Sequence, residues 1–187
     1  GLNVTTGVRN VLIGSLAGDA LTAATDNTAL GDNALGTDTL GSKSTAIGQG
    51  ALFAQNFTTA TDSYNTAVGY NAGAAVTTGV SNTLIGGLAG DALTGTNNTI
   101  VGGLAGDALT TGVANTFIGS ASSSACTTGS QNTGIGGGVI GTSPGALDKL
   151  TTGDRNTALG HAAGSEITTG GKNTMIGDRA GDVTTTG

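Results

Sequence analysis

The chain has 187 residues, of which 36 are glycine, one is proline, 3% are aromatic and 10% are charged, and its formal net charge is −6. So much glycine with so little proline excludes collagen, and the low charge with a slightly positive mean hydropathy argues against disorder. Six Lys and Arg residues provide no basic patch for nucleic acid, and no run of about 18 apolar residues predicts a membrane span.

A five-residue phrase, Asn-Thr-x-Ile-Gly with small variations, recurs along the chain, most often every 17 residues. Its copies begin at Asn10, Asn27, Ser44, Asn65, Asn82, Asn98, Asn115, Asn132, Asn156 and Asn173. We number repeat positions from this first residue. Position four is always a large aliphatic residue, and position five is always glycine, which suits a turn with positive φ.

The repeat predicts an all-β chain in which each unit forms one coil of a parallel β-solenoid, or β-roll. Thr, Val and Ile favour strands, and no segment has the 3.6-residue periodicity of a helix. We expect two short strands per coil, around Asn-Thr-x-Ile-Gly and around Leu-Thr-Thr-Gly. Roughly eleven coils, stacked about 4.8 Å apart, would form one repeat domain over residues 1–187. The position-one asparagines are expected to hydrogen-bond from coil to coil as a ladder.

Positions three and four are both mostly apolar, and adjacent residues of a strand point to opposite faces. We favour position four inside the coil, which leaves position three as an apolar stripe outside. The opposite register, or a flattened coil that partly buries both positions, are the alternatives. An outer apolar stripe predicts a protein interface, and the simplest closure is a parallel homotrimer. The expected interface residues are Leu12, Leu84, Ile100, Phe117 and Met175.

Three copies of the phrase, at 44–48, 65–69 and 156–160, read Ser-Thr-Ala-Ile-Gly, Asn-Thr-Ala-Val-Gly and Asn-Thr-Ala-Leu-Gly. They resemble the head repeats of trimeric autotransporter adhesins, and the Gly/Thr/Asn-rich units are similar to repeats of bacteriophage tail fibres. The resemblance implies a trimeric left-handed β-roll with an extracellular role, on a virion tail fibre or a cell surface. This unit is slightly longer than the adhesin unit and carries an extra Thr-Thr-Gly. No stalk heptads or membrane anchor are seen in the sequence.

Both ends of the sequence stop in the same phase of the repeat. Residues 1–7 match the second half of a unit, and residues 184–187 end there. Solenoids need polar caps for solubility, and neither end carries one. We therefore expect uncapped ends and flanking fibre segments as partners.

The sequence offers few candidates for chemistry. His161 lies after a turn glycine without an evident partner, and Cys126 occupies an apolar repeat position; it can form no internal disulfide. We interpret them as an exposed structural histidine and a small buried hydrophobe. Position-ten aspartates could attract Ca²⁺, but we interpret them as solvated turn residues: Asp19, Asp91, Asp107 and Asp182. We expect no catalytic residue, no metal site, no cofactor and no enzymatic activity.

Two insertions interrupt the repeat. The unit at Ser44 carries four extra residues, in a region that holds four of the five aromatic residues, Phe53, Phe57, Tyr64 and Tyr70. They could contact a host-surface glycan or another receptor, or they could pack over the coil as a plug. The unit at Asn132 carries seven extra residues, within 140–150 and including Pro144, and predicts a surface bulge.

The preferred function is therefore a structural or adhesive fibre segment of a phage tail fibre or surface adhesin. One alternative is an ice-binding solenoid, since Thr recurs at position two and in the Thr-Thr-Gly segment. Another is the subunit of a self-assembling extracellular filament.

Overall fold

The computed structural model describes residues 1–139 and 141–182. Ile140, with which the second insertion begins, and residues 184–187, which were assigned to the second half of a repeat, lie outside the described residues. The described chain is an all-β parallel solenoid with a repeat of about 17 residues, which confirms the predicted fold class. None of its segments is a helix that could cross a bilayer.

Ten three-residue strands stack in parallel as one sheet, each covering positions two to four of its repeat. The register is position on position, as Thr83 pairs with Thr99 and Leu84 with Ile100. At about 4.8 Å per spacing, the stack is about 43 Å tall. In sheet order its strands are β1 (Val11–Ile13), β2 (Thr28–Leu30), β4 (Thr45–Ile47), β6 (Thr66–Val68), β7 (Thr83–Ile85), β8 (Thr99–Val101), β9 (Thr116–Ile118), β10 (Thr133–Ile135), β11 (Thr157–Leu159) and β12 (Thr174–Ile176).

The predicted second strand of each coil is wrong for the described residues. The Leu-Thr-Thr-Gly segments form bends joined to their neighbours by isolated hydrogen bonds, such as the one from the Thr94 amide to the Thr110 carbonyl, at 2.6 Å. Outside the main sheet, the described residues form one further strand pair, at the first insertion, between β3 (Gly41–Ser42) and β5 (Thr61–Asp62).

The core is a column of small and aliphatic side chains from three repeat positions. Position three contributes a variable side chain from β1 to β12, position eight mostly alanine, and position twelve a larger aliphatic. The fully buried members of position twelve include Leu21, Val76, Leu93, Leu109, Cys126, Leu150 and Ile167. The narrow coil explains the alanine-rich composition, because no coil has room for large side chains at all three positions.

The position-one asparagines form a buried hydrogen-bonded ladder, as predicted. Asn115 Oδ1 accepts a bond from the Asn132 amide at 2.9 Å, and its Nδ2 donates to the Gly129 carbonyl at 2.8 Å. The same pattern joins the coils at Asn82 and Asn98. Each side chain therefore ties its own coil closed and binds the next coil.

A buried polar cluster continues this ladder where Ser44 replaces asparagine. Gln55 Nε2 donates to Asp38 Oδ2 at 2.6 Å and to Ser44 Oγ at 2.8 Å, while its Oε1 accepts from Asn65 at 2.8 Å. Asp38 Oδ1 also accepts the amide of Phe57 at 3.0 Å. Both Asp38 and Gln55 occupy position twelve, so the polar cluster replaces two aliphatic core residues at the first insertion.

The position-five glycines have the positive φ that the sequence predicted. Gly86 has φ +133°, and a Cβ there would lie 2.6 Å from the carbonyl oxygen of Gly102 in the next coil. Both the backbone conformation and the close approach of coils require glycine at this turn.

Candidate functional site

The main candidate site is the outward surface of the ten-stranded sheet, which we call the outer face. It consists of positions two and four, because alternate residues of a strand share a face. Position two is Thr in nine of the ten strands, and none of these nine hydroxyls bonds another group of the described residues. The most exposed position-four side chains are Ile13, Leu30, Ile85, Ile118, Leu159 and Ile176. A threonine ladder therefore runs beside an aliphatic ladder along the rod.

This register corrects the favoured sequence prediction, which placed position four inside. Four of the five expected interface residues are core residues instead: Leu84, Ile100 and Phe117 are completely buried, and Met175 is 8% exposed. Leu12 is partly buried against the same core. The physical reason is that position three shares its face with the buried asparagines of position one, which need partners inside the coil.

The aromatic residues of the first insertion divide into two groups. Phe57 is 6% exposed and its ring lies against Gly41, so it forms part of a plug over the coil. Phe53, Tyr64 and Tyr70 are exposed. The Tyr64 ring lies under Lys43, with Nζ 5.1 Å from the ring centroid.

Two of the position-ten aspartates, Asp91 and Asp107, are less solvated than the sequence suggested. Burial raises the pKa of Asp91, and burial together with the nearby charge of Asp91 raises the pKa of Asp107. Among the described residues, Asp107 Oδ1 has no hydrogen-bond partner. No group of three or more His, Cys, Asp or Glu side chains in this part of the chain could hold a metal ion.

Cys126 is completely buried at position twelve, as its apolar repeat position predicted. Burial raises the pKa of its thiol to about 11. The thiolate is the reactive form of cysteine, so this side chain is a poor nucleophile in the folded state.

His161 has two partners that the sequence analysis missed. Its Nε2 lies 2.6 Å from Ser143 Oγ, and its Nδ1 lies 3.0 Å from Asp178 Oδ1. We call these three side chains the polar relay. Asp178 follows His161 by one 17-residue repeat, so the repeat spacing could have predicted this contact. Ser143 lies in the second insertion, whose path the repeat does not predict.

In the second insertion, Val139 and Ser143 form an antiparallel bridge, and Gly141 and Thr142 beside it are exposed. The Val139 amide donates to the Ser143 carbonyl at 2.7 Å, and the Ser143 amide donates to the Val139 carbonyl at 2.8 Å. Val139 is exposed, whereas Leu147 and Leu150 return to the core. The backbone of Ser143 is therefore held by two hydrogen bonds to Val139.

No family model, curated protein or solved structure matches this chain.

The geometry alone thus defines two candidate surfaces. The outer face is ten strands long and has mixed threonine and aliphatic character, which suits contact with another extended surface. The polar relay is small and chemically specialised, since a hydroxyl, an imidazole and a carboxylate lie in hydrogen-bonding order.

Proposed function

We propose that this chain is a structural segment of an extracellular fibre, of the kind found in phage tail fibres or surface adhesins. In this proposal copies of the chain associate in parallel, as a homotrimer, through the outer face. The observation that carries it is the unbroken aliphatic ladder of position four from Ile13 to Ile176, exposed to different extents along the rod. Extended apolar surface of this kind is typical of protein interfaces.

The repeat architecture supports a fibre role. Position-on-position pairing lets any number of coils add to the stack without changing its cross-section. A threefold arrangement would bring one ladder from each copy to a common axis. The threonine methyl groups beside each ladder would extend the contact.

Sedimentation velocity of three proteins tests the proposal. Wild type should sediment as an oligomer, and Ile85→Lys should dissociate because each copy would place a charge in an apolar contact. Val113→Lys is the matched control: Val113 is also 39% exposed, like Ile85, but lies outside the sheet. A wild-type monomer, or equal dissociation by both variants, would contradict an interface on the outer face.

The adhesive part of the proposal rests on the exposed aromatic residues. Tyrosine rings have an apolar surface and a polar hydroxyl, which suits them to sugar rings, and Tyr64 and Tyr70 are both 55% exposed. A glycan array should show binding that Tyr70→Ala and Tyr64→Ala weaken. Binding unchanged in both variants would remove these residues from the receptor site.

Ice binding is a second candidate function, favoured by the threonine ladder. Nine threonines repeat at the strand spacing on one face, with hydroxyls that no described group occupies. Thermal hysteresis of a monomeric wild type, lost in Thr99→Tyr, would support it. Absence of hysteresis would exclude ice binding and favour protein contact through the outer face. Long threads in electron micrographs would instead favour the self-assembling filament.

A further inference from the structure

The polar relay lies across three consecutive coils in an order suited to nucleophilic chemistry. Asp178 accepts from His161 Nδ1, at 3.0 Å, since an ionised carboxylate can only accept. In the neutral imidazole, this contact favours the tautomer in which Nε2 is unprotonated. Nε2 then accepts the hydroxyl hydrogen of Ser143, across 2.6 Å. The serine hydroxyl therefore has a base in contact with it, and the base is oriented by a third group.

The backbone holds the relay in place. Two hydrogen bonds join the backbone of Ser143 to that of Val139. The His161 carbonyl accepts the amide of Arg179, at 2.9 Å, so the histidine and aspartate coils are joined at the residue beside Asp178. Both restraints act on the backbone, while the His161 and Asp178 side chains are 41% and 72% exposed and so lie open to a dissolved ester.

A cavity of about 330 Å³ adjoins the serine. Val139, Pro144 and Ala121 give it an apolar side, and Thr142 and Lys149 give it a polar side. Lys149 is paired with Glu166 at 2.7 Å, and Asp148, which also lines the cavity, accepts the Ser124 hydroxyl at 3.1 Å, so this side is mildly acidic. A short acyl group would fit the apolar side, next to the Ser143 hydroxyl.

We propose that Ser143 is a nucleophile toward carboxylic esters, with His161 as its base and Asp178 as a positioning residue. Ser143 Oγ attacks the ester carbonyl carbon as its proton passes to His161 Nε2. The carbon–alkoxy bond then breaks, and the alcohol leaves with that proton. Water hydrolyses the resulting acyl-serine by the same route, which releases the carboxylic acid and restores the hydroxyl. The proposal is independent of any association through the outer face.

A fluorophosphonate probe tests the nucleophile directly. Attack by Ser143 forms a serine–phosphorus bond, fluoride leaves, and the proton passes to His161. Peptide mass spectrometry of the labelled wild type should place the label on Ser143. Labelling that is absent, or spread over several serines, would overturn the proposal without reference to any variant.

Variants separate the roles within the relay. Ser143→Ala should lose the label, and His161→Gln should slow labelling by about 10²–10⁴-fold, the usual contribution of a general base. Ser130→Ala, which removes another partly exposed serine hydroxyl, is the matched control and should label like wild type. Circular dichroism confirms that each variant folds. A Ser143→Ala protein that still releases p-nitrophenol from its acetate ester at the wild-type rate would contradict the proposed ester chemistry.

Asp178 needs a readout that a merely structural contact would not change. Asp178→Asn presents an amide that can donate to Nδ1 and so favour the wrong tautomer, which should lower the maximal labelling rate and leave the half-saturating probe concentration unchanged. Asp178→Glu should restore part of the rate. Equal rates in wild type and Asp178→Asn would exclude the positioning role.

Discussion

The asparagine ladder gives the most direct test of how the coils are held together. In Asn115→Ala, the Asn132 amide loses its acceptor at 2.9 Å and the Gly129 carbonyl loses its donor at 2.8 Å. The side-chain bonds of Asn115 to Asn98 and Asn132 are also lost, but those two amides keep other partners. The two groups left unsatisfied are buried, and each such group costs about 1–3 kcal/mol. The two groups together predict a decrease of about 2–6 kcal/mol in the free energy of unfolding.

Urea unfolding followed by circular dichroism measures this decrease. Asn56→Ala is the control, because Asn56 is exposed and lies outside the ladder, and surface substitutions of this kind change stability by about 0.5 kcal/mol or less. A change in Asn115→Ala no larger than that of the control would refute the reasoning that side-chain amides, rather than the sheet alone, join neighbouring coils.

Three further predictions test the buried core, the partly buried Asp107 carboxyl and the Cys126 thiol. Ile100→Ala truncates a buried side chain and should cost about 2–5 kcal/mol of unfolding free energy. Val101→Ala, at the partly exposed neighbouring residue, should cost clearly less; the reverse order in urea unfolding would contradict the register. Because the pKa of Asp107 is raised in the folded state, protonation of this carboxyl at low pH stabilises the fold. That stabilisation is lost as the pH rises through the raised pKa. Asp107→Asn should therefore raise Tm at pH 7, with a gain that fades below the ordinary aspartate pKa of about 3.9; a gain of equal size at both pH values would exclude this charge effect. Cys126, with a pKa of about 11 and no exposed surface, should react with Ellman's reagent at pH 8 only after unfolding, and rapid reaction of the native protein would show that its coil opens.

The stacking of the solenoid was predictable because every coil repeats the same chemistry. Glycine at position five, with its positive φ and close approach to the next coil, and asparagine at position one have roles that follow directly from their residue types. The insertions are different, since they follow no repeat. The burial of Phe57 and the placement of Ser143 beside His161 depend on local packing that the repeat does not encode.

The orientation of the strands was mispredicted although the sequence carried a signal for it. Positions three and four are both apolar, so hydrophobicity alone could not choose between them. The polar residues at positions one and two distinguish the two registers. The threonines of position two, such as Thr99, share a face with position four, whereas the asparagines of position one share a face with position three. A buried asparagine ladder can be satisfied inside the coil, as at Asn98, which places Ile100 in the core and Val101 outside.

Native mass spectrometry of the purified chain tests the central claim most directly, because the proposal makes the outer face an interface between copies. The proposed trimer predicts a dominant species of three times 17.7 kDa. A single species of 17.7 kDa, stable over the whole concentration range, would contradict it.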